Sequence, residues 1–244
     1  MACECIADTL PGRLRHSPGE RLARHRHDCG FAALVLSGSY IEAGDRGRIH
    51  VTAGDVVLHG AYESHLDHVA GSGAEVLVLP WNGDEVVPMG RVLDADAVAR
   101  AAERDVDQAA DLLRRQFRPV DASRVRLDWP DLLAMDIRED PNLVLEEWAA
   151  DIGMRPETVS RGFRRAYGVT AAAYRVRIRL LQALARISDS RPLVEIAADA
   201  GFADQAHFTR SFRHLTGFAP RHWLARRGAL PKLQSQLPRP GEAS

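Results

Sequence analysis

One sequence motif occurs twice in the last hundred residues of the chain, over 148–174 and again over 196–223. Its alanine and first glycine recur at a separation of 48 residues, and its phenylalanine, second glycine and closing aromatic recur at a separation of 49. Such self-similarity indicates a duplicated structural unit. Each copy reads as a short helix, a glycine turn, a second helix and a stop, which is the layout of a helix-turn-helix. The repeat therefore predicts an all-α region with two such units, and it favours nucleic-acid binding.

The distribution of charge supports this interpretation, because a formal net charge of −1 hides an asymmetry. Residues 1–141 carry 16 Arg against 24 Asp and Glu, a net charge of −8. Residues 142–228 carry 14 Arg against 8 Asp and Glu, a net charge of +6. Arginine is the side chain best shaped for bidentate contacts with phosphate and guanine. We therefore expect two domains, of which only the second suits a polyanion.

The composition of the chain indicates in which cellular compartment we expect it. The 244 residues are 45% hydrophobic and 27% charged, as in an ordinary globular protein. No apolar run is long enough to span a bilayer, and the N-terminus lacks the basic-then-apolar pattern of a signal peptide. The three cysteines, Cys3, Cys5 and Cys29, cannot all pair within one chain. We expect reduced thiols, a cytoplasmic location and no membrane partner.

The front half has the pattern of a β-rich domain. Short apolar runs punctuated by glycine fill the region from Leu34 to Leu79, which predicts an all-β sandwich or barrel. Asp94 to Phe117 then has the apolar spacing of one amphipathic helix, and about Asp131 to Arg138 forms a second, shorter helix. The longer helix either covers the open face of the barrel or presents its apolar stripe to a second copy of the chain. Periodicity does not distinguish these two alternatives.

These patterns divide the chain into a β-rich domain over 1–90, a helical linker or dimerisation segment over 91–140, a helical domain over 141–228 and a disordered tail over 229–244. Within the helical domain, Thr170 to about Ser188 reads as one continuous helix between the two repeat copies. Nineteen residues span roughly 28 Å. That length could hold two recognition helices near the roughly 34–36 Å that separates successive major grooves on one face of DNA.

Each repeat copy carries the signals of an exposed second helix. Gly201 supplies the turn and Asp204 the N-cap in the second copy, and Pro156 takes the first helical position in the first copy. Apolar residues at helical spacing face inward in both copies. They are Val159, Phe163 and Tyr167 in the first copy and Phe208, Phe212 and Leu215 in the second. The polar residues between them form an outward stripe.

These residues resemble the signature of the AraC/XylS-type transcription regulators. The second copy carries the motif Ile196-Ala197-x3-Gly201-Phe202-x-Asp204-Gln205-x-His207-Phe208-x-Arg210-x-Phe212, followed by Gly217-x2-Pro220-x2-Trp223. The first copy matches the less constrained half of that family's DNA-binding domain, and the resemblance covers about residues 141–227. The sequence departs from the family pattern at Arg155, Ala171, Ala206 and Trp223, where a Ser, a Pro, a small polar residue and a Tyr are usual.

The resemblance implies a double helix-turn-helix domain that reads a bipartite site in the major groove of double-stranded DNA. It places base-reading side chains at Glu157, Ser160 and Arg161 of the first recognition helix and at Gln205, Ala206 and Arg210 of the second. Neighbouring side chains expected to contact phosphate or to support these readers are Thr158, Arg164, His207, Thr209 and Arg213. Relatives commonly dimerise, so we expect a homodimer, with RNA polymerase as a further candidate partner.

The front domain resembles a cupin. Gly19-x5-His25-x-His27-x3-Phe31-x6-Gly38 follows the first cupin motif, with Phe31 in place of the metal-binding Glu. The second motif is weaker, because Gly54-x5-Gly60-x-Tyr62-x2-His65 keeps the spacing to a third His but lacks the Pro and one Gly of that motif. The resemblance implies a jelly-roll barrel in which His25, His27 and His65 hold Zn²⁺, Fe²⁺, Ni²⁺ or Mn²⁺. The alternative is a vestigial site whose histidines are polar barrel residues, and the missing Glu favours it.

The predicted function is that of a transcription regulator whose cupin domain senses a small molecule or a metal. One alternative is a metal-dependent cupin enzyme, an oxygenase or isomerase with a DNA-binding appendage, but Phe31 weakens it. The sequence also lacks a Ser-His-Asp constellation, a phosphate-cradling glycine loop and paired catalytic carboxylates. A third interpretation keeps DNA binding and reduces the front half to a dimerisation module.

Overall fold

The computed structural model of the chain describes residues 11–81, 88–120, 128–188 and 191–226. These residues belong to two compact units, of which the first ends at Arg175 and the second begins at Val176. The first unit holds the β-rich part and the first repeat copy, and the second unit holds the second copy. The predicted boundary at residue 141 rests on the patterns of charge and periodicity in the sequence rather than on compactness, and it stays a prediction. Cys3, Cys5 and the predicted tail lie outside the described residues.

The N-terminal part is an antiparallel sheet. Its strands are β1 (Gly12–His16), β2 (Arg21–Arg26), β3 (Phe31–Gly44), β4 (Gly47–Thr52), β5 (Asp55–His59), β6 (Ser64–Pro80), β7 (Met89–Arg91) and β8 (Arg118–Pro119). Among the described residues they pair in the order β1-β6-β3-β5-β7-β8, with β2 on the edge of β6 and β4 on β3. The predicted glycine-punctuated strands are thus confirmed as a sheet domain that precedes the helical region.

The long strands β3 and β6 pair along most of their length and carry the core. Side chains alternate between the two faces of a strand. Ala32 and Leu34 of β3 therefore belong to one apolar cluster, whereas Phe31, Ala33 and Val35 belong to another. The first cluster is covered by helices, and members of the second, among them Phe31 and Ala33, line a cavity.

The amphipathic segment after the sheet is two helices, α1 (Ala95–Ala102) and α2 (Val106–Gln116), so the prediction of one helix was wrong. The break falls at Asp105, whose side chain accepts hydrogen bonds from the amides of Asp107 and Gln108 and thereby starts α2. The apolar side chains of both helices, including Val98 and Leu113, pack against the sheet. That stripe is therefore buried within its own chain, and the homodimer stays a prediction.

The remaining helices are α3 (Trp129–Glu139), α4 (Leu145–Asp151), α5 (Pro156–Tyr167), α6 (Ala171–Arg186), α7 (Leu193–Asp199) and α8 (Gln205–Thr216), and residues 220–226 are also helical. The predicted short helix near 131–138 is confirmed as α3. The predicted connecting helix is α6, which is 16 residues long and thus shorter than expected. In the part of the chain that the structure describes, no helix combines the length and the apolar character needed to cross a bilayer.

Cys29 lies in the turn between β2 and β3 and is buried. It is disulfide-bonded, so the expectation of reduced thiols is wrong for this cysteine. Disulfide formation depends on how closely the chain brings two Cα atoms together, and cysteine spacing in the sequence does not reveal that distance.

Candidate functional site

Two helix pairs, α4 with α5 and α7 with α8, have the same backbone geometry. The glycine after the first helix of each pair has a left-handed φ, 69° at Gly153 and 72° at Gly201, which costs glycine little. Two hydrogen bonds close each turn in the same pattern. They run from Gly153 N to Ala150 O (3.0 Å), Met154 N to Ala149 O (2.8 Å), Gly201 N to Ala198 O (2.8 Å) and Phe202 N to Ala197 O (2.9 Å).

The turns differ in length by one residue. Between α4 and α5 the turn contains four residues, 152–155, whereas between α7 and α8 it contains five, 200–204. The inserted residue explains why the sequence repeat has a period of 48 before the turn and 49 after it. Beyond the turn, Gly168 and Gly217 end α5 and α8 with φ of 72° and 78°.

Both second helices bury the apolar face that the sequence predicts. Val159, Phe163 and Tyr167 of α5 are buried, and so are Phe208, Phe212 and Leu215 of α8. Burying aromatic and aliphatic side chains at helical spacing fixes which residues of each helix remain outside.

The outside face of each helix carries the predicted DNA-contacting side chains. Of these, all but one are exposed, and the structure thus leaves Glu157, Thr158, Ser160, Arg161, Arg164, Gln205, Ala206, His207, Arg210 and Arg213 available to a partner. Thr209 is half-buried. The contacts of all these side chains with DNA stay a prediction.

The two helices begin differently. Asp204 is the N-cap of α8, and its carboxylate accepts a hydrogen bond from the amide of His207 at 2.6 Å. This bond lowers the pKa of Asp204, so the cap stays ionised. Arg155 holds the equivalent position before α5 and makes no side-chain cap. The first turn of α5 therefore lacks an acceptor that α8 has.

A second candidate site is a cavity of about 360 Å³ in the sheet domain. Its walls are mainly aliphatic, from Leu14, Leu22, Val69, Val76 and Val78. Its polar lining comes from His16, His25, His27, Tyr40, His59, His65 and Asp67. A cavity of this size and character suits a small ligand with an apolar body and a few polar atoms.

The three histidines predicted to bind metal lie together in this cavity. Each offers a ring nitrogen within 4.8 Å of the other two, and His27 Nε2 lies 3.1 Å from His65 Nε2. His25 Nδ1 donates to the carbonyl of Ala23 at 2.9 Å, and His65 Nδ1 donates to Asp67 at 3.1 Å. Because Nδ1 is the donor in both hydrogen bonds, Nε2 is the ring nitrogen left to face a metal, and it offers a lone pair when the ring is neutral.

Two groups beside the cluster were missed from the sequence. Glu42 Oε2 lies 3.5 Å from His59 Nε2 and 3.7 Å from His65 Nδ1, and neither Glu42 Oε2 nor His59 Nε2 makes a hydrogen bond. The ring of Phe31 stacks on His59 with centroids 4.3 Å apart. For Glu42 the available signal was strand alternation, because Glu42 lies two residues after Tyr40 on β3 and Tyr40 lines the cavity.

Burial sets the charge of the cluster. It lowers the pKa of His27 to about 4, with help from neighbouring His65 and His25, and it lowers the pKa of His59. Burial acts the same way on His65, but the carboxylates of Glu42 and Asp67 outweigh it and raise the pKa of His65. Burial also raises the pKa of Glu42. Neutral His27 is therefore a ready metal ligand at neutral pH.

Comparison with known proteins identifies the helical region. Residues 148–226 match the family model described as "Helix-turn-helix domain". The chain is 30% identical over 87 residues to the arabinose operon regulatory protein of Escherichia coli (strain K12), a match that covers 35% of this chain and 30% of that protein. The chain thus spans about 30% of the length of the curated relatives that it matches.

Two solved structures are also similar. ToxT from Vibrio cholerae strain SCE256, with unsaturated fatty acid bound, is 14% identical over 91% of this chain and 97% of that chain, with a TM-score of 0.40. The C-terminal domain of AraT from Geobacillus stearothermophilus is 24% identical over 42% of this chain and 89% of that chain, with a TM-score of 0.39.

The repeated helix pairs and the family match define residues 148–226 as a helix-turn-helix domain. Over this domain the chain is similar to the arabinose operon regulatory proteins.

Proposed function

We propose that the chain binds DNA at a bipartite site and regulates transcription in response to an effector held in the cavity of a cupin-like sheet domain. In this proposal each helix pair is one helix-turn-helix unit, and α5 and α8 are the recognition helices. The observation that carries it is the duplicated geometry, in which two helices bury matching apolar faces and expose polar, arginine-bearing ones.

The exposed side chains suggest a division of roles. Arg161 and Arg210 suit guanine because a guanidinium donates two parallel hydrogen bonds to O6 and N7, and Gln205 suits adenine. Glu157 suits the amino group of cytosine. Thr158, Arg164 and Arg213 lie beside these readers and suit phosphate, which fixes the position of a helix without reading sequence. Ser160, Ala206, His207 and Thr209 complete the two faces.

The cavity supports a metal-dependent effector site. His25, His27 and His65 would hold a divalent ion such as Zn²⁺, Fe²⁺, Ni²⁺ or Mn²⁺, and the fit rests on their convergent nitrogens and on the acceptors that fix the Nδ1 protons of His25 and His65. A bound ion would supply an open coordination position for one polar atom of the effector. The aliphatic walls would enclose the rest of the effector.

A regulator is favoured over a cupin enzyme, because Phe31 fills the position of the fourth ligand and packs on His27 and His59. The same proposal includes a cytoplasmic location, a homodimer and RNA polymerase as partner. Ligand would act only through a difference in its affinity for two states of the chain.

The test is selection of duplexes from a random-sequence library on the purified chain at near-physiological salt, with and without added metal. We expect enrichment of two half-elements about 10 base pairs apart. Arg161→Ala should remove one half-element from the enriched pool and Arg210→Ala the other. Arg100→Ala, an exposed arginine of α1, is the matched control and should enrich the same duplexes as the unaltered chain. Failure to enrich any sequence under either condition would contradict the proposal.

A further inference from the structure

Arg24 on β2 is almost completely buried, with its side chain 9% exposed, and it makes four hydrogen bonds. Nη2 donates to the carboxylate of Asp45 and to Ser64 O at 3.1 Å. Nη1 donates to Ala43 O at 3.2 Å and to Tyr167 O at 3.0 Å. The Asp45 carboxylate is 1% exposed, so the two buried charges neutralise each other. One guanidinium thus joins three segments of the sheet domain to the last residue of α5.

The bond to Tyr167 falls at the C-terminal end of α5, where a helix has carbonyls without helical partners and a partial negative charge. A cation that donates there satisfies one of these carbonyls and opposes the helix dipole. The end of α5 also lies close to β6, because a Cβ built on Gly168 would come within 2.8 Å of Leu66 Cδ2. Arg24 therefore caps a predicted recognition helix from a strand of the sheet domain.

Two residues of this contact adjoin residues of the cavity. His25 follows Arg24 on β2, and His65 follows Ser64 at the start of β6. Both histidines line the cavity, and they are paired with each other across the two strands. Because neighbouring side chains on a strand point to opposite faces, these strands carry cavity groups on one face and the cap of α5 on the other. A shift of the strand backbone at either histidine would therefore also move Arg24 or the Ser64 carbonyl that accepts from it.

We propose that Arg24 is a positioning residue for α5, which sets how this helix is held on the sheet domain and passes a change in the cavity to it. The inference rests on the proposed function, in which α5 reads DNA and the cavity binds the effector. A second contact between the helices and the sheet domain does not involve Arg24. It is the hydrogen bond that the hydroxyl of Tyr174, on α6, donates to Asp45 O at 3.0 Å. A change at Arg24 should therefore leave the folded unit intact and alter its response.

The first test uses Arg24→Lys, which keeps the charge and loses the planar fork that serves four acceptors. Affinity for the selected duplex is measured with and without Co²⁺, whose visible absorption reports histidine coordination directly. We expect Co²⁺ to change the duplex affinity of the unaltered chain about 5-fold or more and that of Arg24→Lys less than about 2-fold. The Co²⁺ spectrum and affinity without DNA should be the same in both. Arg15→Lys, whose side chain is 82% exposed on β1, is the control and should respond like the unaltered chain.

A second arm needs neither metal nor DNA. Val76→Phe adds bulk to the cavity wall, and amide hydrogen exchange is followed at residues 164–168. We expect Val76→Phe to change exchange at this end of α5 in the unaltered background and not in Arg24→Lys. If Co²⁺ gave no visible absorption, only the metal site would be contradicted. If no duplex were selected, only the reading of DNA would be contradicted. In both cases the amide-exchange experiment still tests the role of Arg24. Equal responses in the two backgrounds, or no response of α5 to the cavity in either, would overturn the proposal.

Discussion

The indole of Trp129 lies directly on the backbone of Gly162. A Cβ built on Gly162 would come within 2.3 Å of Trp129 Cζ2 and within 2.5 Å of Cη2. Trp129 is the first residue of α3, and Gly162 lies in the middle of α5. Glycine in a helix interior costs about 1 kcal/mol relative to alanine. The close approach of the indole explains why α5 carries a glycine there.

Gly162→Ala should therefore destabilise the chain, although alanine is the better helix former. The added methyl displaces the indole, and overpacking of this kind costs about 1–3 kcal/mol, which outweighs the gain in propensity. Urea unfolding would measure the free energy of unfolding. Trp129→Ala supplies the matched background, because there the same substitution should stabilise by the helix-propensity difference alone. Equal effects of Gly162→Ala in the two backgrounds would contradict this explanation.

The helical half was predictable because its signals are local. A glycine with positive φ, a capping aspartate and an apolar residue every third or fourth position are each decided within about one helical turn. Gly201, Asp204 and Phe208 therefore take the positions that the sequence assigned to them. The break between α1 and α2 was missed because the apolar period continues across Asp105, and only its side-chain capping ends one helix and begins the next.

The cavity was only partly predictable because strand pairing brings together residues far apart in sequence. Motif spacing found His25, His27 and His65, but Glu42 and His59 reach the cluster through the register of β3, β5 and β6. Among the described residues other than glycine, Tyr62 has a left-handed φ, 67°, a conformation natural to glycine that the identity of the residue did not indicate.

The unequal N-caps of α5 and α8 lead to opposite stability changes. Asp204→Ala should lower the free energy of unfolding by about 0.5–2 kcal/mol, because it removes the acceptor for the His207 amide. Arg155→Ser should raise it by about 0.5–1 kcal/mol, because it supplies the acceptor that α5 lacks. Urea unfolding measures both changes, and amide exchange in the first turn of each helix locates them. A loss of stability in Arg155→Ser would contradict the assignment of that cap position.

Arg210 and Arg213 are both exposed on α8 and should contribute differently to DNA binding. Arg210→Ala should lower the binding free energy for the selected duplex by about 1–3 kcal/mol and relax the preference at one base pair. Arg213→Ala should weaken binding to all sequences alike. It should also reduce the slope of the logarithm of affinity against the logarithm of salt concentration by about one. Binding titrations with the selected duplex, its single-base variants and a shuffled duplex at several salt concentrations separate the two effects. Identical profiles for the two variants would contradict the distinction between base and phosphate contacts.

Asp67 should set metal affinity without being a ligand in the three-histidine arrangement. It accepts from Nδ1 of His65 at 3.1 Å, which holds the ring with Nε2 toward His27. Asp67→Asn weakens this acceptor and should lower Co²⁺ affinity about 10–100-fold, as measured by absorption titration. His50→Ala, an exposed histidine of β4, is the control and should bind Co²⁺ like the unaltered chain. Undiminished affinity in Asp67→Asn would remove Asp67 from the site.

The raised pKa of Glu42 predicts that the stability of the metal-free chain depends on pH. Burial raises the pKa of Glu42 from its ordinary 4.5 to about 8. Between these values the folded chain binds more protons than the unfolded chain, so the free energy of unfolding falls as the pH rises, by at most about 1.4 kcal/mol per pH unit for this group. The raised pKa of His65 acts in the same direction at higher pH, since its stabilising charge is lost as that pKa is passed.

Glu42→Gln removes the buried carboxyl and relieves this slope. The difference in free energy of unfolding between Glu42→Gln and the unaltered chain should therefore increase, in favour of the variant, from pH 5 to pH 8. Urea unfolding at each pH after chelator treatment measures it. Glu146→Gln, an exposed glutamate of α4, should give a curve parallel to that of the unaltered chain. A parallel curve for Glu42→Gln as well would mean that Glu42 is already ionised in the folded chain, despite its burial beside His59.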